Sequence, residues 1–201
     1  KDNNHSSQSG VGEIAVANKI VIVAKPPRNP KLGNSNIDDL RECSVCVILD
    51  ALRAANNVEA PRDYVISHIE KLANGTASAG KLDIQTSYND ILSYLSDDAR
   101  YDISVINAKT IYTYLSDNAP HWKKYVIHHK SKLFDDIKKK GSALSGLNRD
   151  KWNPSDLMII KQGITVPNCD SLTDFNKWVH PEQLKEADVI GISLKDSHEQ
   201  S

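Results

Sequence analysis

The chain has 201 residues, a formal net charge of −1 at pH 7, 39% hydrophobic and 25% charged residues. These values are typical of a globular protein large enough to bury a core, and they exclude a strongly basic chain. A local basic strip can still bind nucleic acid in a chain of near-zero net charge. No apolar run approaches the ~20 residues of a membrane-spanning helix, so we expect no membrane segment.

The first half of the chain is predicted to be mainly helical. The polar residues 1–12 are expected to be disordered, and residues 13–25 to form a strand or hairpin arm that Pro26 ends. Apolar residues then recur at helical spacing between capping and stop signals, which predicts four helices. They cover Ile37–Ala55, Arg62–Ala73, 87–99 and 103–115.

The cysteines are few and do not form a regular framework. Cys43 and Cys46 make a C-x-x-C pattern inside the first predicted helix, and Cys169 lies far from both. Zinc or redox chemistry would need a second ligand pair or a redox-type context. We therefore interpret the pair as packed helix cysteines in a reducing compartment.

Residues 121–140 are predicted to form a basic amphipathic helix, followed by a flexible turn at 141–146. Lysines and arginines from this helix to Lys151 alternate with aromatic residues, a composition suited to phosphate contact and base stacking. The alternative is a solvated surface helix whose last lysines match its negative end. His128 and His129 would point about 100° apart on a helix and could not share a metal. The residues expected to contact nucleic acid are Lys138, Lys139, Lys140, Arg149 and Lys151.

Two short apolar segments near the end of the chain carry polar residues at one end. Asp156 precedes the predicted strand Leu157–Ile160, and Ser193 and Lys195 lie in and after a second predicted strand at 188–194. Residues two apart on a strand share a face. We predict that the two strands are neighbours in one sheet, because both have an apolar run flanked by polar residues of a catalytic type. A carboxylate that holds Mg²⁺ and a lysine that positions water and offsets phosphate charge are the minimum for metal-assisted cleavage of a phosphodiester.

The sequences of these two segments resemble the motif of the PD-(D/E)xK nuclease superfamily. In that pattern an Asp follows a short Pro-containing turn, and an acidic residue, any residue and Lys follow on the next strand. Here the first half reads Pro154-Ser155-Asp156, and the second reads Ser193-Leu194-Lys195, with Ser in the usual place of an acid. Trp-Asn-Pro-Ser-Asp and Gly-Ile-Ser-Leu-Lys also resemble a nuclease-like group common in bacteriophage genomes. The resemblance covers about residues 148–195.

The resemblance implies a Mg²⁺-dependent nuclease, with Mn²⁺ as an alternative ion, that acts on DNA in a host-cell cytoplasm or a virion. Asp156, Lys195 and Ser193 would form its catalytic set. Since a hydroxyl is a far weaker Mg²⁺ ligand than a carboxylate, Ser193 keeps a second interpretation open. In that interpretation the protein is a catalytically inactive, nuclease-like phage structural or DNA-binding protein with protein partners in a phage assembly.

The acid that Ser193 replaces has several candidates, and the motif residues themselves have simpler interpretations. Asp136 and its neighbour Asp135 rank first as additional metal ligands because they lie on the last helix before the two strands. Their alternative is a solvated helix face with i,i+3 ion pairs. Asp156 could merely cap a turn after Pro154, and Lys195 could be an exposed edge lysine. The other candidate acids are Glu42, Glu186, Asp188 and Asp196.

The predicted architecture is an α/β fold of the α+β kind. A mainly helical region, 13–146, precedes an α/β segment, 147–201, with a small mixed sheet of the restriction-endonuclease-like type. We expect the two parts to pack as one domain. The resembling fold continues with a further helix and strand, so we expect that the chain is a fragment, that residues are missing from its end, or that something else completes the sheet.

Overall fold

A computed structural model describes residues 15–17, 20–25 and 37–196 of this chain, with the backbone alone at 15–17, 20–25 and 195–196. The expected disorder of residues 1–12 and the side chain of Lys195 lie outside this description. Within the described residues, no helix is long and apolar enough to cross a membrane.

The described residues form a mixed α+β fold of six strands and seven α-helices, with two 3₁₀ turns. In chain order the elements are β1 (Ala15–Ala17), β2 (Ile20–Lys25), α1 (Ile37–Ala55), α2 (Arg62–Ala73), β3 (Leu82–Ile84), α3 (Tyr88–Leu95), α4 (Asp98–Asn118), a 3₁₀ turn (Pro120–Lys124), β4 (Val126–His129), α5 (Lys132–Ser145), α6 (Arg149–Trp152), β5 (Leu157–Ile160), α7 (Leu172–Val179), a 3₁₀ turn (Leu184–Glu186) and β6 (Val189–Asp196).

All six strands belong to one sheet with the order β1-β2-β6-β5-β4-β3. Strands β4, β5 and β6 form an antiparallel meander, with Leu157 opposite Ile192. The prediction that β5 and β6 are neighbours is therefore confirmed. The position beyond β6 is taken by β2, which runs parallel to it and comes from the N-terminal part of the chain. Strands from both parts of the sequence thus complete a single sheet.

Helices cover both faces of the sheet and define two cores. One core packs α1–α4 against one face, on side chains such as Ile127, Leu157 and Ile192. The other packs α5 and α7 against the opposite face, on Met158 and Ile160. Because successive strand residues face opposite sides, the continuous apolar run of β5 supplies both cores.

Helix α1 lies at the centre of the first core. Residues 41–53 are all buried, and the helix contacts α2, α3, α4, β3 and β4. Asp38 and Asp39 in its first turn and Arg53 in its last turn match the helix dipole. Cys43 and Cys46 are free, buried helix cysteines, as predicted.

The predicted helix over 121–140 is wrong for residues 121–131 and confirmed for 132–140, which belong to α5. Its start is a 3₁₀ turn with Trp122 buried, and its middle is strand β4. Strand β4 pairs with β3 on one side and β5 on the other, and these pairings satisfy its backbone groups. Strand β3 was not predicted, and it supplies one of the two partners. Ser131 then caps α5 by accepting a hydrogen bond from the Phe134 N–H at 3.2 Å.

The flexible turn predicted at 141–146 is also wrong for its first five residues, which continue α5. Gly141 lies inside the helix because the ring of Trp152 packs where a Cβ would be, at 2.3 Å. The helix ends at Gly146, whose φ of 71° gives the left-handed C-terminal conformation. The break between α3 and α4 falls earlier than predicted because Asp97 caps α4 through the Arg100 N–H.

Candidate functional site

Asp156 lies directly before β5, at the end of the sheet where that strand begins. Its N–H donates to the Ile192 carbonyl at 2.8 Å, and its carboxylate accepts hydrogen bonds from the Leu194 N–H and, at 3.5 Å, from Ser193 Oγ. Ser193 is only 1% exposed and lies beside Asp156, directly after the last ladder pair of β5 and β6, which is Leu157 and Ile192. The predicted pair of Asp156 and Ser193 is therefore in contact.

The turn before Asp156 explains its position. Asn153 is buried, and its Oδ1 accepts a hydrogen bond from the Ser155 N–H at 2.9 Å, which closes an Asx turn over Pro154. The Ser155 side chain lies against β6 at Gly191, where an added Cβ would be 2.2 Å from Ser155 Oγ. Gly191 thus lets the turn approach the strand closely enough to place Asp156 beside Ser193.

A cavity of about 480 Å³ opens in front of Asp156, between α1 on one side of the sheet and α5 and α6 on the other. Five carboxylates and three cationic side chains line it, and we call it the acidic cavity. Its lining is Asp38, Glu42, Lys130, Phe134, Asp135, Lys138, Arg149, Asp150, Ser155 and Asp156. Ser155 is 1% exposed, and its Oγ has no hydrogen-bond partner among the described residues.

Lys138 lines this cavity. It is not an exposed residue of the kind expected to contact nucleic acid. It is 7% exposed, and its Nζ donates to Asp150 Oδ1 and to the Ser155 carbonyl, each at 3.0 Å. The ammonium also lies 5.0 Å from the centre of the Phe134 ring. A buried lysine held in this way places one positive charge at a fixed point beside Asp156.

The α1 wall of the cavity carries a chain of buried polar groups. The ring of His129 lies between Glu42 Oε2, 2.8 Å from Nε2, and Cys43 Sγ, 3.1 Å from Nδ1. Burial alone would lower the pKa of His129, but the hydrogen bonds with Cys43 and Glu42 outweigh it and raise that pKa to about 9. Both ring N–H groups therefore donate at neutral pH, and the Cys43 thiol donates to Thr86 Oγ1 at 3.2 Å.

Lys130 joins the two sides of the site. It has a φ of 50°, in the region that non-glycine residues rarely adopt, and it lies between β4 and the cap of α5. Its ammonium pairs closely with Asp39. Burial would lower the pKa of Lys130, but the hydrogen bond and charge of Asp39 raise it.

The two adjacent histidines face opposite sides of the sheet, because they lie on a strand and not on a helix. His128 Nδ1 is 2.8 Å from Ser131 Oγ and 3.4 Å from Asp83 Oδ2, away from the Glu42 side. Burial lowers the pKa of His128, and Asp83 offsets only part of that effect. We predicted that the two histidines point apart because they would lie on a helix. They do point apart, but they lie on strand β4.

The structure places the other expected site residues in two groups. Lys138 and Arg149 line the acidic cavity, whereas Lys139, Lys140 and Lys151 lie outside its lining. Asp136 also lies outside the lining and pairs closely with Lys132 on the exposed side of α5. Asp135, its alternative, does line the cavity, as does Glu42.

Sequence reasoning missed Asp38 and Asp150 as members of the site. The pair Asp38 and Glu42 lies four residues apart on α1, so both side chains share one helix face. That spacing was a readable signal. Asp150 gave no such signal, because its place in the cavity depends on the packing of α6 against α5.

Comparisons with family models, curated proteins and solved structures find no match to this chain.

Proposed function

We propose that the protein is a metal-dependent nuclease of the PD-(D/E)xK type that acts on DNA, with the acidic cavity as its active site. The observation that carries the proposal is the position of Asp156. Its carboxylate is anchored on β6 and faces a cavity that helices from both faces of the sheet line with further carboxylates. Polar groups that converge at one concave site are the usual starting point for assigning an active site.

The sheet supports the finer fold assignment. Strands β4, β5 and β6 form a meander between two layers of helices, and β2 fills the position beside β6 in parallel. We assign this arrangement to the restriction-endonuclease-like type that the Asp156 and Lys195 motifs imply. The β2 strand takes the place of the further strand expected after Lys195.

The residues of the cavity fit Mg²⁺ or Mn²⁺. Both ions prefer oxygen ligands, and Asp156 offers a carboxylate with Asp135 on a facing wall. The buried hydroxyl of Ser155, without a partner among the described residues, is a further oxygen that a ligand or its water could satisfy. When bound, the ion supplies Lewis-acid polarisation of the phosphate and a lower pKa for an attacking water.

The chain's own residues would divide the remaining work. In hydrolysis a water oxygen bonds to phosphorus, the P–O bond to the leaving group breaks, and the leaving oxygen gains a proton. Lys138 offsets negative charge on the phosphate from its fixed position, and Arg149, which is exposed at the rim, contacts the adjoining backbone phosphate. Lys195 keeps the role that the motif implies, positioning water and the scissile phosphate.

A second function is favoured by Ser193. The hydroxyl lies where the motif has its second acid, and it donates to Asp156 in place of sharing a metal with it. A site with one strand carboxylate binds Mg²⁺ weakly. Our alternative proposal is therefore that the protein is an inactive nuclease-like phage structural or DNA-binding protein that keeps the sheet and the cationic rim.

Cleavage of supercoiled DNA in Mg²⁺ or Mn²⁺ separates the two proposals. We expect the wild type to nick DNA, and Asp156→Asn and Lys195→Ala each to reduce the rate by at least about 100-fold, because metal and charge stabilisation supply several kcal/mol. Asp90→Asn is the matched control, because Asp90 is an exposed carboxylate on α3 that does not line the cavity.

Cleavage by Asp156→Asn at the wild-type rate would overturn the nuclease assignment. DNA binding without cleavage by the wild type, in either metal, would establish the inactive alternative instead.

A further inference from the structure

We propose that Asp39, Glu42 and His129 Nε2 form a binding site for a first-row transition cation of the Zn²⁺ class. The site is separate from the Asp156 position on the strands. One ligand atom from each of the three residues lies within 4.8 Å of those from the other two. Two atoms that each bind one Zn²⁺ ion at 2.0–2.1 Å are about 3.3 Å apart in a tetrahedron. Small side-chain rotations would therefore bring the three atoms to one ion.

The types of ligand atom determine which ion the site prefers. One imidazole nitrogen and two carboxylate oxygens suit Zn²⁺ and its first-row neighbours, whereas Mg²⁺ prefers oxygen alone and keeps much of its own water. Three protein ligands leave the fourth tetrahedral position for water or a substrate oxygen. The Asp156 position offers oxygen ligands only, so the two positions should discriminate between the ions.

The contact behind His129 can orient its ring for metal binding, with a thiol sulfur in place of the usual carboxylate or carbonyl oxygen. Metal-ligating histidines donate their other ring N–H to a fixed acceptor, which sets the tautomer and the ring orientation. Here Nδ1 lies 3.1 Å from Cys43 Sγ, and Thr86 Oγ1 orients the thiol. With Nδ1–H committed to Cys43, the nitrogen left to bind an ion is Nε2, which faces Glu42.

The cluster is reachable from solvent and already holds positive charge. The Asp39 side chain is 29% exposed and Glu42 lines the acidic cavity, although His129 itself is 1% exposed. The Lys130 ammonium pairs with Asp39 at the mouth of the site. A divalent ion would replace that ammonium and the Nε2 proton, and Lys130, which is about half exposed, can move into solvent.

The alternative is a buried histidine–glutamate ion pair that needs no metal. Such pairs occur in proteins as structural features, and this one is already complete in its hydrogen bonds. The two possibilities differ in what Asp39 does. Asp39 is a ligand in the metal site, and only a surface partner of Lys130 in the ion pair.

Calorimetric titration with Zn²⁺ of the purified wild type and of Asp39→Asn tests the site. We expect one Zn²⁺ to bind the wild type and Asp39→Asn to bind it at least about tenfold more weakly, while a tenfold excess of Mg²⁺ does not compete. Asp188→Asn is the matched control, because the Lys161–Asp188 pair has side chains 54% and 32% exposed, against 53% and 29% for Lys130–Asp39. That control should bind Zn²⁺ as the wild type does.

Two further variants keep the result interpretable. Cys43→Ala removes the acceptor of the Nδ1–H, and we expect about tenfold weaker Zn²⁺ binding, as for other outer partners of metal ligands. Asp156→Asn should leave Zn²⁺ affinity unchanged, so loss of the nuclease function and loss of this site are distinguishable. Absence of Zn²⁺ binding in the wild type, equal affinity in Asp39→Asn, or loss of binding in Asp156→Asn would each overturn the proposal.

Discussion

The two ends of the sheet both carry charged side chains, eight around the acidic cavity and five at the opposite end, but they differ in how those charges are held. At the acidic cavity, Lys138, Glu42 and His129 are buried and bonded to defined partners. At the other end, a cavity of about 590 Å³ is lined mainly by exposed residues, and we call this the basic end. Its lining is His121, Lys124, Tyr125, Lys161, Gln162, Lys185, Glu186 and Asp188.

Burial, in addition to the larger number of charges, distinguishes the acidic cavity as the candidate site. At the basic end Lys161 donates to Asp188 at 3.0 Å with both side chains well exposed, so water screens the pair. At the acidic cavity the low dielectric strengthens each interaction and makes each unsatisfied group costly. Fixed charges beside the buried Ser155 hydroxyl, which has no hydrogen-bond partner among the described residues, are an arrangement that a bound ion or phosphate can complete.

A second carboxylate beside Asp156 should have the largest effect on this contrast. Ser193→Asp places like charges beside each other, which destabilises the metal-free protein. A divalent ion would relieve that repulsion, so we expect Mn²⁺ affinity to rise by at least about tenfold, or 1.4 kcal/mol. Calorimetry with Mn²⁺ on the wild type and the variant measures it.

Gln162→Asp is the control for that change, since it adds a carboxylate at the basic end beside Lys161 and Asp188. It should leave Mn²⁺ binding unchanged. Equal heats for the wild type, Ser193→Asp and Asp156→Asn would mean that no metal binds at Asp156.

Gly191→Ala should destabilise the acidic cavity by overpacking. The new methyl group would lie 2.2 Å from Ser155 Oγ, so the turn that positions Asp156 would have to shift. We expect a decrease of about 1–3 kcal/mol in the free energy of unfolding, measured by urea denaturation. In a Ser155→Ala background the clash with Oγ is removed, and the decrease should be smaller. The same decrease in both backgrounds would place its origin elsewhere.

Asp50 gives a pH test of the part of α1 that points away from the acidic cavity. Burial would raise the pKa of Asp50, but hydrogen bonds from His68 at 2.9 Å and from Arg53, with the charge of Arg53, lower it. A lowered pKa in the folded state gives stability that is present above the unfolded pKa of about 3.9 and is lost as pH falls through the folded pKa.

The free energy of unfolding of the wild type should therefore fall more steeply from pH 6 to pH 2.5 than that of Asp50→Asn. Chemical denaturation at several pH values measures this difference. Asp90→Asn, an exposed residue of α3, should keep the wild-type pH dependence. Parallel curves for Asp50→Asn and the wild type would show that Asp50 is not stabilised in its charged form.

The smallest expected effect concerns the salt dependence of DNA binding. Lys139, Arg149 and Lys151 are exposed near the acidic cavity, whereas Lys124, Lys161 and Lys185 are exposed at the basic end. Replacing the first three by Gln should reduce the slope of log K against log[salt] by about 0.9 for each phosphate that the protein no longer neutralises. Replacing the second three should leave the slope unchanged. The opposite result would move the DNA-binding surface to the basic end.

The bounds of helices and strands were predicted most accurately from the sequence where local signals and burial agree. The bounds of α1 and α2 were predicted correctly because apolar spacing and end signals coincide there, and β5 because a short apolar run follows a turn. The prediction of a helix over 121–140 was wrong at 121–131 for a physical reason. Its apolar residues fit a helical period by spacing, but β4 is stabilised by pairing with β3 and β5, which are distant from it in the sequence in both directions.

The sequence by itself determined the Asn-Pro-Ser turn before Asp156 and the strand that holds Ser193, since turn chemistry and strand alternation are local properties. Only the tertiary structure decided what faces Asp156. It brought Glu42 and His129 together across 87 positions, buried Lys138 against Ser155, and turned Asp136 towards Lys132 instead. The physical reason is that burial and hydrogen-bond partners depend on how α1, α5 and α6 pack around the sheet, and no local pattern specifies that packing.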